Sequence, residues 1–207
     1  GTSPQFFTVC SAWMLSLFRR RPFVFELRDL WPESIKVVGA MQDSRAIRAL
    51  ERLEGFLYRK ADAIVAVTNS YKDTLQGRGI DPDKIAVVIN GVDLARYSPR
   101  ERDPELEAEY RLQGKFVVGY VGTHGLAHAL YRVLETADQL RDEKDIAFVF
   151  VGSGAERDAL EQQAEKMGLE NVLFIPRQPK KMMPRNWSLC DVSLIHLKDD
   201  ELFRCVI

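Results

Sequence analysis

Two glycine-bearing stretches offer the best material for chemistry in this sequence. Gly122-Thr123-His124-Gly125, with His128 three residues on, follows one apolar run, and Gly152-Ser153-Gly154 follows another. Glycine lets backbone approach a ligand closely, and amides left free at the start of the next helix attract an anion. Thr123 adds a hydroxyl. His124 and His128 lie four apart and would share a helical face if the helix begins early. The chemistry that suits these residues is the cradling of a diphosphate. The steric alternative is a tight strand-to-helix turn that needs glycine for its geometry alone. A lone G-x-G is a weak signal, so the second stretch gains its weight from lining one cleft with the first.

Other candidates stand at similar places. Arg28-Asp29-Leu30-Trp31-Pro32-Glu33 follows an earlier apolar run, where Arg28 and Asp29 could bind or move protons. The competing reading is a surface ion pair with Trp31 packed as core. Lys180 and Lys181 could meet phosphate or simply open a solvated helix. Lys198-Asp199-Asp200-Glu201 carries paired carboxylates, but no His or Cys stands at ligand spacing to them, and no metal is expected. Walker A, G-x-S-x-G and H-E-x-x-H patterns are absent from the sequence.

The elements that must position these residues alternate. Periodicity predicts helices over 4–19, capped by Ser3, and over 44–61. A third, capped by Asn69 or Ser70, runs through Leu75 and stops at Gly77 and Gly79. Short apolar runs at 23–27, 63–67 and 85–89 read as buried strands. A charged, proline-bearing stretch from Arg96 to Glu109 reads as a linker. Beyond it, strands at 116–121, 146–151, 172–175 and 192–197 alternate with helices at 127–140, 155–167 and 180–189. Near-continuous apolar strands between helices imply parallel sheets covered on both faces. In such sheets ligands gather at the carboxyl ends of strands, where every candidate above sits.

Composition excludes several classes. The chain has 207 residues, 29 Lys plus Arg, 30 Asp plus Glu and a net charge of -1. That balance supplies no global field for nucleic acid, so phosphate recognition must be local. With 46% hydrophobic and 29% charged residues, bulk disorder is excluded. Three isolated cysteines fit a reducing compartment better than a disulfide framework. The apolar run from Phe6 to Phe18 is too short to span a hydrocarbon core of roughly 30 Å. It is read as a buried helix with a solvated basic end, Arg19-Arg20-Arg21. The competing reading lays it on an anionic membrane surface. The turn sequence at the start and the apolar Val206-Ile207 at the end suggest a fragment at both ends.

An ordered set of motifs resembles glycosyltransferase family 4, whose members pair two Rossmann-like domains in the GT-B fold. The set is Thr2-Ser3-Pro4-Gln5, Phe25 to Ser34, Asn90-Gly91-Val92-Asp93, and Gly122-Thr123-His124-Gly125-Leu126-Ala127-His128. Gly152 to Glu156 and Gln178 to Pro184 add to it. The whole set is similar to the branch that includes N-acetyl-L-fucosamine transferases of bacterial O-antigen and capsule assembly.

The resemblance implies α/β architecture in two incomplete parallel-sheet domains. Residues 1–95 would be the second half of an acceptor-side domain, 96–114 a linker, and 115–207 the first part of a nucleotide-sugar domain. It implies a retaining transfer from a nucleotide-sugar, UDP-linked by expectation, to a lipid-linked or polysaccharide acceptor in cell-surface glycan synthesis. No cofactor or metal is expected, and no nucleic-acid partner. The expected place is the cytoplasm, peripheral on the inner face of the plasma membrane. Arg28 and Asp29 would be catalytic, with Asp29 looking into the acceptor side. Gly122, Thr123, His124, Gly125, His128, Gly152, Gly154, Lys180 and Lys198 would serve the donor, and a bulky residue at Gly125 would abolish donor binding. The pattern departs from the family where Arg28 replaces a frequent His, and where His124 and His128 replace an Arg and a Lys that hold the diphosphate. The family's acidic motif would fall mostly beyond Ile207, so the chain alone would be inactive. Two rivals share the fold: a UDP-sugar 2-epimerase, and a non-catalytic nucleotide-binding module.

Overall fold

The computed structural model describes residues 1–37, 39 and 44–205. The chain divides into two compact units, Gly1–Gly91 with Asp199–Ile207, and Val92–Lys198.

The first unit holds a three-stranded parallel sheet, β1 (Val24–Leu27), β2 (Ala63–Ala66) and β3 (Ile85–Val87), in that spatial order. Among the described residues four α-helices accompany it: α1 (Phe6–Arg19), α2 (Glu33–Val37), α3 (Arg45–Lys60) and α4 (Asn69–Gly77). Phe25, Leu27, Ile64 and Ala66 point into the core and meet Leu57 and Tyr58 of α3. Ser44 caps α3 by accepting from the Ile47 amide. Thr68, one residue earlier than expected, caps α4 by accepting from the Tyr71 amide. Ser3 does not cap α1, because its hydroxyl is engaged elsewhere.

The reading of α1 as a buried helix needs correction. Only Phe6 and Val9 are buried, while Phe7, Met14, Leu15, Leu17 and Phe18 are exposed. At the other end of the chain, Leu202 packs against the first unit's core and Phe203 is buried. Val206 and Ile207, read from sequence as an uncovered apolar end, lie outside the described residues.

The second unit holds a four-stranded parallel sheet in the order β6-β5-β4-β7. Its strands are β4 (Phe116–Thr123), β5 (Ile146–Ser153), β6 (Val172–Pro176) and β7 (Val192–Ser193). Five consecutive residues of β5, Ala147 to Val151, are buried, as expected of a central strand covered on both faces. The helices are α5 (Pro104–Glu109), α6 (Tyr131–Gln139), α7 (Arg157–Met167) and α8 (Met183–Trp187).

Helix α5 forms inside the stretch read as linker. Asp103 caps it by accepting from the Leu106 amide and also pairs with Arg185 through 2.5 and 2.9 Å contacts. Hydrogen bonding from that guanidinium holds the Asp103 carboxyl down to about 2. The strand expected over 192–197 stops after two residues. Past Ser193 the Leu194 amide still donates to the Gly119 carbonyl of β4, and farther on the Lys198 amide donates to the Ala127 carbonyl, both at 2.8 Å.

Candidate functional site

Strands β4, β5 and β6 finish side by side, since Gly122 pairs with Gly152 and Gly152 with Pro176 in parallel register. A recess of about 520 Å³ opens at this edge. Gly122 and Thr123 line it from β4, Gly152 and Ser153 from β5, Gly154 from just past β5, and Arg177 and Gln178 from beyond β6. The size suits a small-molecule site.

Both glycine readings meet here. A Cβ on Gly152 would collide with the Gly122 carbonyl oxygen, and one on Gly154 would lie 2.6 Å from the His124 carbonyl carbon and 2.8 Å from its nitrogen. The two strand ends pass so closely that side chains at these positions are excluded. The missing side chains also leave the recess open and the backbone bare. The amides of Gly154 and Ala155 make no backbone hydrogen bond among the described residues, while those of Glu156 and Arg157 turn back to His124 and Gly154. Free amides just ahead of the 11-residue α7 form a site for negative charge, reinforced by the helix dipole.

His124 is the main departure from expectation. It does not share a helical face with His128: a short 3-10 turn spans Leu126–His128, Ala129 adopts a left-handed φ of 44°, and α6 begins at Tyr131. The His124 side chain is fully buried under the loop. Its ring sits 5.9 Å from that of Tyr120 and 6.2 Å from those of Phe150 and Phe174. Neither ring nitrogen has a hydrogen-bond partner among the described residues. Burial, with the Arg157 cation adding to it, pushes its pKa down to about 4. His124 is therefore neutral at pH 7, and its backbone, not its ring, joins the two loops. Its amide donates to Ser153 and its carbonyl accepts from Glu156, both at 3.0 Å.

Two residues that sequence reading passed over brace the recess. The Tyr120 hydroxyl donates to the Thr123 carbonyl at 2.7 Å, and burial pushes it up to about 12. Arg157 donates to the carbonyls of Gly152 at 2.6 Å and Ile175 at 2.9 Å, which ties the end of β5 to the end of β6. Its guanidinium also lies over the Phe174 ring, 5.9 Å from the centroid. The available signals were slight: a hydroxyl in an otherwise apolar strand, and an arginine in the first turn after a glycine pair.

The remaining donor candidates stand outside the recess lining. Gly125 is extended, with φ −117° and ψ 162°, and a Cβ there would make ordinary 3.6 Å contacts. His128 and His196 exchange ring-to-carbonyl contacts of 3.2 and 2.5 Å. Lys180 is exposed between β6 and α8, and Lys198 is half-buried beside Ala127.

Arg28 and Asp29 belong to the first unit, at the carboxyl end of β1. The Ser3 hydroxyl accepts from both their amides, at 3.0 and 3.2 Å, and donates to the Asp29 carbonyl at 3.0 Å. The Asp29 carboxylate accepts from the Ser34 hydroxyl at 2.9 Å. Burial raises its pKa, opposed by that hydroxyl and the Leu30 amide. No ion pair joins Arg28 to Asp29 among the described residues, and Trp31 stacks on Phe6 at 4.7 Å. No group of three or more His, Cys, Asp or Glu gathers to hold a metal ion among the described residues.

Comparison with known proteins gives a consistent result. The model of Glycosyltransferase Family 4 matches residues 2–96, and that of Glycosyl transferases group 1 matches residues 102–203. The probable glycosyltransferase WbjE of Pseudomonas aeruginosa is 27% identical over 182 residues, 86% of this chain and 44% of that one. A D-inositol 3-phosphate glycosyltransferase of Nocardia farcinica is 33% identical over 147 residues, 66% of this chain and 32% of that one. The crystal structure of Anabaena HepE in complex with UDP-glucose superposes with a TM-score of 0.72 at 20% identity, over 91% of this chain and 50% of that one. The chain thus spans less than half the length of these curated relatives. With one family model over each half and nearly every residue covered, the chain belongs to the glycosyltransferases that join a family 4 domain to a group 1 domain in the GT-B fold.

Proposed function

We propose that the protein is a retaining glycosyltransferase that moves a hexosyl or N-acetylhexosaminyl group from a UDP-sugar to a lipid-linked or polysaccharide acceptor. The observation that carries this reading is the glycine-walled recess with the free Gly154 and Ala155 amides at the start of α7. Relatives named glycosyltransferases, and the UDP-glucose in HepE, support it. The likeness to N-acetyl-L-fucosamine transferases favours cell-surface glycan synthesis.

Breaking the bond between sugar and diphosphate leaves negative charge on the departing oxygens. Amides already fixed in place stabilise that charge without reorganising, and they need no metal to do so. Asp29, whose pKa burial raises, is the candidate group on the acceptor side. Spanning under half of its relatives' length, the chain by itself is proposed to be inactive.

The test uses the full-length protein. Calorimetric titration should give binding of UDP and UDP-sugars in preference to GDP-sugars. Transfer to a lipid-linked acceptor should keep the donor's anomeric configuration by NMR. Asp29→Asn should lower turnover by about a hundredfold while leaving UDP affinity unchanged. An epimerised free UDP-sugar as product, or UDP binding without turnover, would overturn the reading.

A further inference from the structure

We infer that Ser34 and Glu33 of α2 are positioning residues for Asp29, and that Arg78, forty-five residues beyond Glu33, is the anchor that holds them in place. The inference deepens the proposed transfer and rests on its reading of Asp29 as the acceptor-side group.

Asp29 stands half-buried in the loop between β1 and α2. Two donors hold its carboxylate, the Ser34 hydroxyl at 2.9 Å and the Leu30 amide. Leu30 is its chain neighbour and is buried, so that amide is fixed by the core. The Ser34 hydroxyl depends instead on where α2 lies. Burial favours the protonated carboxyl, and both donors oppose it by favouring the charged form that can take a proton. A carboxylate that turns out of line loses the reach that proton transfer needs.

Helix α2 does not fix Ser34 by itself. Five residues are too few to hold a helix alone, and none of the five is buried. Ion pairs hold it at both ends. Glu33, its first residue, meets Arg78 at 2.7 Å, and one turn on Lys36 meets Glu51 of α3 at 2.5 Å. Arg78 is the C-cap of α4, and its guanidinium also lies 3.6 Å from the buried Glu54 of α3. It is set between carboxylates of two helices, which fixes its own place and α2's with it. The Ser34 amide then donates to the Leu30 carbonyl at 2.9 Å and closes the loop. A shift of Glu33 therefore passes to Ser34, its chain neighbour, and from there to the Asp29 carboxylate.

The experiment is a double-mutant cycle on the full-length protein with two readouts. The first needs no substrate: carbon-13 NMR of labelled aspartate carboxyls follows the Asp29 titration, and Asp29→Asn assigns its signal. Ser34→Ala should lower the acid dissociation constant of Asp29 about threefold, and Ser34→Thr should restore it. Glu33→Gln should act the same way but less, and should add nothing once Ser34 is already replaced by Ala. The second readout is transfer from UDP-glucose or UDP-N-acetylglucosamine to a polyprenyl-diphosphate-linked glycan. Ser34→Ala should lower kcat about tenfold with UDP affinity unchanged, and should lower it no further in the Asp29→Asn background. Glu33→Gln is preferred to Arg78→Gln, which would strip the buried Glu54 of its cation. The Glu33 pair is partly exposed and adds little to stability, so this variant should melt like the wild type. An Asp29 titration that Ser34→Ala leaves in place, or effects of Ser34→Ala and Glu33→Gln that simply add, overturns the inference. Full turnover in Asp29→Asn overturns the acceptor-side reading beneath it, and the Asp29 titration tells the two failures apart.

Discussion

Gly154 lies directly against the backbone of His124, so close that a Cβ there would strike the His124 carbonyl oxygen. Those atoms belong to hydrogen-bonded backbone and cannot swing aside. Gly154→Ala should therefore shift the loop, costing about 2 kcal/mol and lowering the melting temperature by about 5 °C. UDP binding should fall with it. Gly125→Ala is the control. Its extended backbone accepts any residue and a Cβ meets only van der Waals neighbours, so stability should change by less than about 0.5 kcal/mol. Equal melting curves for the two variants would refute the steric account of Gly154.

The hydroxyl of Tyr120 is the brace beneath the same loop. Tyr120→Phe removes one donor from the Thr123 carbonyl, which keeps the Gly125 amide at 3.0 Å. The expected loss is about 1 kcal/mol of stability. If the brace also fixes Thr123 for the donor, UDP affinity should fall by about twofold to fivefold in a calorimetric titration. Lower stability with unchanged UDP affinity would confine Tyr120 to packing.

The strand and helix alternation was legible because β-type apolar runs and 3.6-residue periods are local properties. Three strands precede the charged stretch and four follow it, as the periods predict. The partnership of the two glycine loops was legible too, since both follow strands that pair in register. The burial of the His124 ring, a residue named for the donor, was not legible because it comes from Tyr120, Phe150 and Phe174 on three separate strands. No sequence window contains that arrangement. Ser3 shows the same limit. A serine ahead of an apolar helix predicts a cap, yet its hydroxyl serves the amides of Arg28 and Asp29, twenty-five and twenty-six residues away.

The burial of His124 predicts a pH signature in the second unit. Its folded pKa of about 4 lies below the ordinary 6.5. Between those values the unfolded chain binds the proton and the folded chain does not, so stability falls as pH drops through that window. The slope approaches about 1.4 kcal/mol per pH unit. His124→Phe keeps an aromatic ring among aromatic neighbours and removes the proton. The variant should gain on the wild type in thermal melts as pH falls from 6.5 toward 4.5, with little difference above pH 7. Parallel melting profiles across that range would mean that the ring finds a partner or water that keeps its pKa ordinary.

Glu54 predicts the opposite slope in the first unit. It is 3% exposed, takes a 2.5 Å hydrogen bond from the Tyr58 hydroxyl and has the Arg78 guanidinium 3.6 Å away. Burial pushes its pKa up to about 7, with Glu33 and Glu51 adding to the shift and Tyr58 and Arg78 opposing it. Between the ordinary 4.5 and 7 the folded chain holds the proton and the unfolded chain has released it. Stability therefore falls as pH rises through this window, reaching its full loss above pH 7. Glu54→Gln stays neutral throughout, so the difference between variant and wild type should move in the variant's favour from pH 5 to pH 7 and level off above. The Tyr58 bond survives in the variant, because the amide oxygen still accepts. A difference that stays flat from pH 5 to pH 8 would mean that Arg78 neutralises Glu54 well enough to keep it ionised in the fold.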